Sequence, residues 1–282
     1  MNKNEILLAA KTNQYWRYHD QLLLAKALAT APFTAETTWV EVNTYLRAHL
    51  EFFPGYLSHG NNRKISEQYL TILDADYPLE LAEIYEPPII LFYRGQRELL
   101  KSRKVGIVGA RKCTPYSQTC LRKIIPELVN HQLVTVSGLA VGVDMLVHQE
   151  TLSAKGKTIA VIGNGVDLVY PPQNTPLQQI ISQQGLLLSE YLPGDPPRRF
   201  HFPQRNRIIA GLSEAVVVTE ARRRSGSLIT ANLALQENRN VFAIPGRILD
   251  EESEGTNQLI QAGATPVLTA QDILTDFQAY QV

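Results

Sequence analysis

The run Phe200-His201-Phe202-Pro203-Gln204-Arg205-Asn206-Arg207-Ile208-Ile209-Ala210-Gly211 carries the clearest chemical signal in this chain. Proline is tolerated in the first turn of a helix, where its missing N–H costs nothing. Pro203 therefore predicts a helix start that leaves Arg205, Asn206 and Arg207 near its positive end, where unpaired backbone N–H groups already favour anions. Cations crowded at that end repel one another and the helix dipole unless an anion binds, and a phosphate backbone is the natural anion. Phe200, His201 and Phe202 are candidates to stack on unpaired bases. The competing reading places those rings in the core.

Other candidates follow apolar runs of strand length. Gly106-Ile107-Val108-Gly109-Ala110-Arg111 resembles a nucleotide-binding turn, but the third glycine of the dinucleotide fingerprint is missing. Arg111 at such a turn suits bidentate contact with phosphate oxygens, against the alternative of a local carboxylate partner. Ser137-Gly138 ends the next run where a ribose-binding acid would stand, which argues against a nicotinamide cofactor. Asp144 and His148 are four apart on one helix face, a spacing that suits an acid–base or metal pair, although two ligands do not make a site; the favoured roles are capping for Asp144 and a bond to a neighbouring loop for His148. Gly163 and Gly165 bracket Asn164 in a loop whose backbone can line an anion-binding concavity. Arg224-Ser225-Gly226-Ser227, with Thr230 one turn on, has the composition of an anion cradle at a helix start. It lacks the Gly-Lys-Ser/Thr of an ATP-hydrolysing loop. Arg198 and Arg199 precede the first motif and join the candidate backbone contacts. No catalytic set emerges, and Cys113 and Cys120 lack histidines at zinc spacing, so no metal and no cofactor are expected.

Elements of regular order must position these loops. Six apolar runs, Val105–Val108, Leu133–Val136, Thr158–Ile162, Leu186–Leu188, Ala215–Val218 and Val241–Ile244, are separated mostly by helical stretches, notably 117–130, 142–154, 204–212 and 227–238. Continuous apolar runs alternating with helices predict a parallel sheet covered on both faces. The fold class is thus α/β, an extended Rossmann-like, doubly wound and mostly parallel sheet. Ligands of such sheets sit beyond the carboxyl ends of the strands. Residues 1–65 predict a small helical domain, from periodic apolar positions at 22–28 and 42–50; residues 66–282 form the second domain. Within it, Leu70–Leu73 and Ile89–Tyr93 predict extra edge strands, Pro266–Leu268 a last strand, and a helix starts at Gln271.

The formal net charge of the 282 residues is zero, which hides a strong regional imbalance. Residues 195–224 hold seven arginines against three acids, whereas residues 248–282 hold six acids and no lysine or arginine. Such a chain can present one strongly positive face. Two cysteines fit a reducing cytosol, and no apolar run is long enough to span a membrane.

These motifs together resemble the DprA/Smf family (DNA-processing protein A). The resemblance rests on VGIVGARKCTPYS at 105–117, VSGLAVGVDMLVHQ at 136–149, KTIAVIGNGVDLVYPPQN at 157–174, the block at 186–218 and RSGSLITANLALQENRNVFAIPG at 224–246. It implies a cytoplasmic, non-enzymatic protein that binds single-stranded DNA without base specificity. It further implies a homodimer that loads the RecA recombinase onto incoming strands protected by single-strand-binding protein during natural transformation. By the same resemblance Arg111 and Lys157 belong to the DNA groove, as do Arg205 and Arg207 by motif position. From the residues alone Lys157 reads as a surface lysine. The first 65 residues are similar in placement to a SAM-like or helix-hairpin-helix domain. Val141 stands where members often carry lysine, and no C-terminal winged-helix domain is expected. The acidic terminal region, with Ile260, Val267, Leu268, Ile273, Leu274 and Phe277, is the expected place for dimer and recombinase surfaces. The rival reading is a nucleotide-processing enzyme of phosphoribohydrolase type, for which Glu220 is the nearest candidate acid.

Overall fold

The structure, a computed structural model, describes residues 2–58 and 65–279. The expected domain boundary at 65 adjoins residues 59–64, which lie outside the described ones. The chain opens with α1 (Lys3–Thr12), α2 (Tyr18–Thr30) and α3 (Trp39–His49). Asn2 with Glu5, and Thr38 with Glu41, form reciprocal capping boxes that fix the starts of α1 and α3. Then come β1 (Gln68–Thr71), the single turn α4 (Leu79–Ala82) and β2 (Ile90–Gly95). The regular alternation follows: β3 (Lys104–Val108), α5 (Pro115–Asn130), β4 (Val134–Ser137), α6 (Val143–Ser153), β5 (Thr158–Val161), α7 (Thr175–Gln184), β6 (Leu186–Ser189), α8 (His201–Leu212), β7 (Ala215–Val218), α9 (Gly226–Gln236) and β8 (Asn240–Ala243). Last are α10 (Glu254–Gln261), β9 (Thr265–Pro266) and α11 (Ala270–Ala279).

The strands form one nine-stranded sheet in the order β1-β2-β6-β5-β4-β3-β7-β8-β9. Strands β3 to β9 run parallel, while β1 and β2 add an antiparallel edge against β6. This is the doubly wound, mostly parallel architecture expected from the runs, with both edge strands present. Helix α1 falls within the helical first 65 residues, whereas α7 and α10 were not singled out.

Side chains alternate between the two faces of each strand. Leu186 and Leu188 join Val134, Val136, Val216 and Val218 on the face covered by α8 and α9. Val105, Ile107, Ala215 and Val217 face the opposite way, against α5, α6 and α11. Farther along that second face, Ile90, Phe92, Ala160, Ile162 and Leu187 meet Ile6, Leu7, Leu24, Leu28, Val42 and Leu46 of the first three helices. The N-terminal helices therefore share a core with the sheet. Each of these large apolar side chains contributes about 1.5–3 kcal/mol by leaving water, so no β-branched run can be turned outward.

The terminal region departs from expectation. Val267, Ile273, Leu274 and Phe277 are at most 3% exposed and pack against α5, so they are core. Of the apolar residues named there, Leu268 is the one that stands well out, at 69% exposure. Asp272 accepts the Leu268 and Thr269 backbone N–H bonds, and these hold its carboxyl below the usual range.

Candidate nucleic-acid interface

In the strand order the winding reverses between β3 and its neighbours β4 and β7. The loops leaving their carboxyl ends diverge there and leave a crevice. A cleft of about 690 Å³ occupies this position, walled by Gly109–Lys112 after β3, by one side of α8 and by the start of α9. A smaller cavity of about 50 Å³, lined by Gly138, Gly163 and Pro171 among others, adjoins it and shares Arg111, Ala140, Tyr170 and Phe202.

The β3–α5 loop is anchored at its far end. Thr114 caps α5, and the buried Glu220 carboxylate after β7 accepts both the Thr114 N–H at 2.9 Å and its hydroxyl at 2.5 Å. Glycine is required where this loop meets α6: Gly142 has φ +84°, and a Cβ there would run into the Ala110 and Arg111 carbonyl oxygens. Arg111 is thereby held at the cleft mouth, exposed, with its guanidinium 5.4 Å from the centre of the Phe202 ring. Phe202 in turn lies 5.6 Å from Tyr170, centre to centre. Arg111, Lys112 and Arg199 line the cleft without an ion pair among the described residues. Arg222 also lines it but is bound to Glu252 at 2.5 Å and Glu251 at 3.3 Å.

The two arginines of the opening motif do not share the cleft. Residues two apart on a helix point to opposite sides. Arg205 faces the sheet, 4% exposed, and its guanidinium donates to the carbonyl of Gly138 at 2.6 Å and to that of Val161. It closes the open ends of β4 and β5 and forms the cleft floor beside Asp144. Burial pushes the Asp144 carboxyl up, against the pull of Arg205 and of the Ala140 N–H. Arg207 faces away and its Nη2 donates to both carboxylate oxygens of Glu190, at 2.9 and 2.8 Å, with both side chains nearly buried. Asn206, between them, lines the cleft and donates to the Gly226 carbonyl at 3.4 Å.

Of the candidates read from sequence, the cleft gathers Gly109, Arg111, Arg199, Arg205, Asn206, Ser225, Gly226, Ser227 and Thr230. Gly138 and Gly163 belong to the adjoining cavity. Ser137 is turned inward, its hydroxyl donating to the Ile107 carbonyl at 2.7 Å. A Cβ at Gly165 would run into the Asp167 carboxylate and the Leu192 carbonyl. Arg198 and Arg224 are exposed outside the lining. Lys157 precedes β5, at the opposite end of the parallel strands from Arg111, with its ammonium 3.1 Å from the Gln184 carbonyl. Lys157 therefore lies away from the cleft that Arg111 lines.

The aromatic motif is split. Phe200 is 54% exposed and Phe202 lines the cleft, whereas His201 is buried, stacked on Tyr191 at 3.8 Å. His148 reaches Thr158 on β5 rather than a loop, at 2.6 Å, and burial pushes its pKa down to about 3. Sequence reasoning missed Lys112 and Tyr170. Their signals were adjacency to Arg111 and a tyrosine directly before Pro171-Pro172 at a strand-end loop.

Comparison with known proteins identifies the family and the fold. A model of the DNA recombination-mediator protein A family matches residues 68–278. Over 208 residues, 74% of this chain and 73% of the relative, the chain is 52% identical to DNA processing protein DprA of Streptococcus pneumoniae. It is 43% identical to the Bacillus subtilis protein of that name over 73% of this chain and 70% of the relative. The X-ray structure of the Streptococcus pneumoniae protein superposes with a TM-score of 0.75 at 44% identity, covering 96% of this chain and 92% of that one. DNA processing protein A from Helicobacter pylori, whose structure concerns its single-stranded DNA binding mode, gives a TM-score of 0.68 at 33% identity, over 76% and 97% of the two chains. The chain belongs to the DNA recombination-mediator protein A (DprA/Smf) family.

Proposed function

We propose that this protein binds single-stranded DNA through the strand-end cleft, without reading base identity. The observation that carries the reading is the juxtaposition of cations without an ion pair among the described residues and an aromatic pair in the cleft wall: Arg111 over the half-buried Phe202, next to the exposed Tyr170, flanked by Lys112 and Arg199. Cations hold a phosphate backbone and release its counterions. Unpaired bases stack on aromatic faces for about 1–3 kcal/mol each, whatever the base. Membership of the family and the relative whose single-stranded DNA binding has been described support the same reading. Loading of RecA onto strands protected by single-strand-binding protein, action as a homodimer, and a cytoplasmic, non-enzymatic role complete the proposal on the family resemblance. No helix among the described residues is long and apolar enough to cross a membrane.

The enzymatic alternative needs a carboxylate free to act in the cleft. Both oxygens of Glu220 are engaged by Thr114, Glu252 is bound to Arg222, and Asp144 is buried beneath Arg205. The test is fluorescence anisotropy with a labelled oligothymidylate, single-stranded and duplex, at two salt concentrations, on wild type and Arg111→Ala. Preference for the single strand, weakened about tenfold by the substitution, is expected, as one charge-assisted contact is worth roughly 1.5–3 kcal/mol. Binding unchanged in Arg111→Ala would remove the cleft from the account.

A further inference from the structure

The start of α9 carries more hydrogen-bonding capacity than the protein uses. Ser225 stands at the N-cap, where a serine hydroxyl normally accepts from the first turn. Here it caps nothing, and its buried Oγ has no partner. Ser227 is only 8% exposed, lines the cleft, and its hydroxyl makes no hydrogen bond among the described residues. Between them, Gly226 has nothing within 4 Å of the place a Cβ would take, so the cleft is open at that point. The first N–H groups of an 11-residue helix add donors and a positive dipole end there. Two unpartnered serine hydroxyls around an open glycine form a built cradle, independent of the helix terminus itself.

A phosphate monoester presents three acceptor oxygens and nearly two negative charges, while an internal diester presents two free oxygens and one charge. Resting on the single-strand reading above, we infer that this end of the cleft is a terminal-phosphate pocket. It takes the monoester of a nucleoside 5′-phosphate, either free or at the 5′ end of a strand. Ser225, Ser227 and the α9 N–H groups hold the phosphate, Arg111 neutralises it, and the Phe202–Tyr170 pair receives the base. A cleft of about 690 Å³ is within the range of small-ligand sites.

The test uses the full chain and thymidine 5′-monophosphate as competitor against a labelled oligothymidylate, with thymidine as the uncharged control. The nucleotide is expected to displace the oligonucleotide and thymidine to fail. Ser227→Ala and Ser225→Ala, which remove a hydroxyl without opening a cavity, should each weaken the nucleotide at least fivefold. Gly226→Asp, which puts a carboxylate at the open position, should weaken it more than tenfold; circular dichroism checks that each variant is folded. A 5′-phosphorylated oligonucleotide binding more tightly than its 5′-hydroxyl twin identifies the strand end as the ligand, and equal affinities identify the free nucleotide. No displacement by the nucleotide while the oligonucleotide still binds through Arg111 overturns the inference and leaves the single-strand reading standing. Displacement insensitive to all three substitutions overturns it as well. Failure of the oligonucleotide itself to bind overturns both.

Discussion

Arg205 and Arg207 are separated by one residue and do different work from each other and from Arg111. Arg207 with Glu190 forms a nearly buried ion pair. Removing one partner of such a pair strands the other charge, at a cost of about 3–5 kcal/mol. Arg207→Ala is therefore expected to lower stability by that order in urea denaturation, and Arg207→Leu combined with Glu190→Leu to recover much of the loss. His148 gives a pH signature. Its folded pKa of about 3 lies below the ordinary 6.5, so between these values the unfolded chain binds the extra proton. Its contribution is complete above pH 6.5 and declines as pH falls, by up to about 1.4 kcal/mol per unit. Asp144 works in the opposite sense, because burial raises its carboxyl and favours the protonated native state. Denaturation of His148→Gln between pH 6.5 and 4.5 should show that decline abolished or reversed.

At the scale of elements, the position of Arg111 depends on a strap between two loops. Thr114 caps α5 and satisfies both oxygens of Glu220, which follows β7. Thr114→Val removes the cap and leaves one Glu220 oxygen buried without its hydroxyl donor. The expected cost is about 2 kcal/mol of stability. A loss of single-strand affinity of a few fold should accompany it, because the loop carrying Arg111 and Lys112 is freed at one end. Urea denaturation and anisotropy on the same preparation check the two effects together.

For the molecule as a whole, charge is distributed by the ends of the sheet. Arg111, Lys112 and Arg199 converge at the carboxyl end, and Lys157 lies at the other. About three phosphates neutralised predicts a slope of roughly −2 for log affinity against log salt on a single strand. Lys157→Ala should leave both affinity and slope unchanged. A loss comparable to that of Arg111→Ala would mean that the strand runs around the sheet edge to its other end. The N-terminal helices share a core with β2, β5 and β6, so truncation before residue 65 should expose Ile90, Phe92 and Leu187 and lower the melting temperature.

The amino-acid sequence by itself determined the alternation of apolar strands and helices, and with it the parallel sheet and the end of it where the cleft opens. Those features follow from local periodicity and from the burial of continuous β-branched runs. The turn chemistry was equally legible: Gly109-Ala110-Arg111 and Ser225-Gly226-Ser227 meet across the sheet because parallel strands bring their carboxyl ends together. Which charges are available was not legible. Arg205, Arg207 and Arg222 are consumed by carbonyls or carboxylates from 17 to 67 residues away in the chain. Lys112 and Tyr170 gain their places only from the meeting of separate loops. The same holds for Val267, Ile273 and Leu274, whose apolar spacing fits a docking surface as well as a core until α5 is seen to cover them. Periodicity encodes which face of an element is apolar, whereas partners across the sheet are fixed by the packing of all the elements at once.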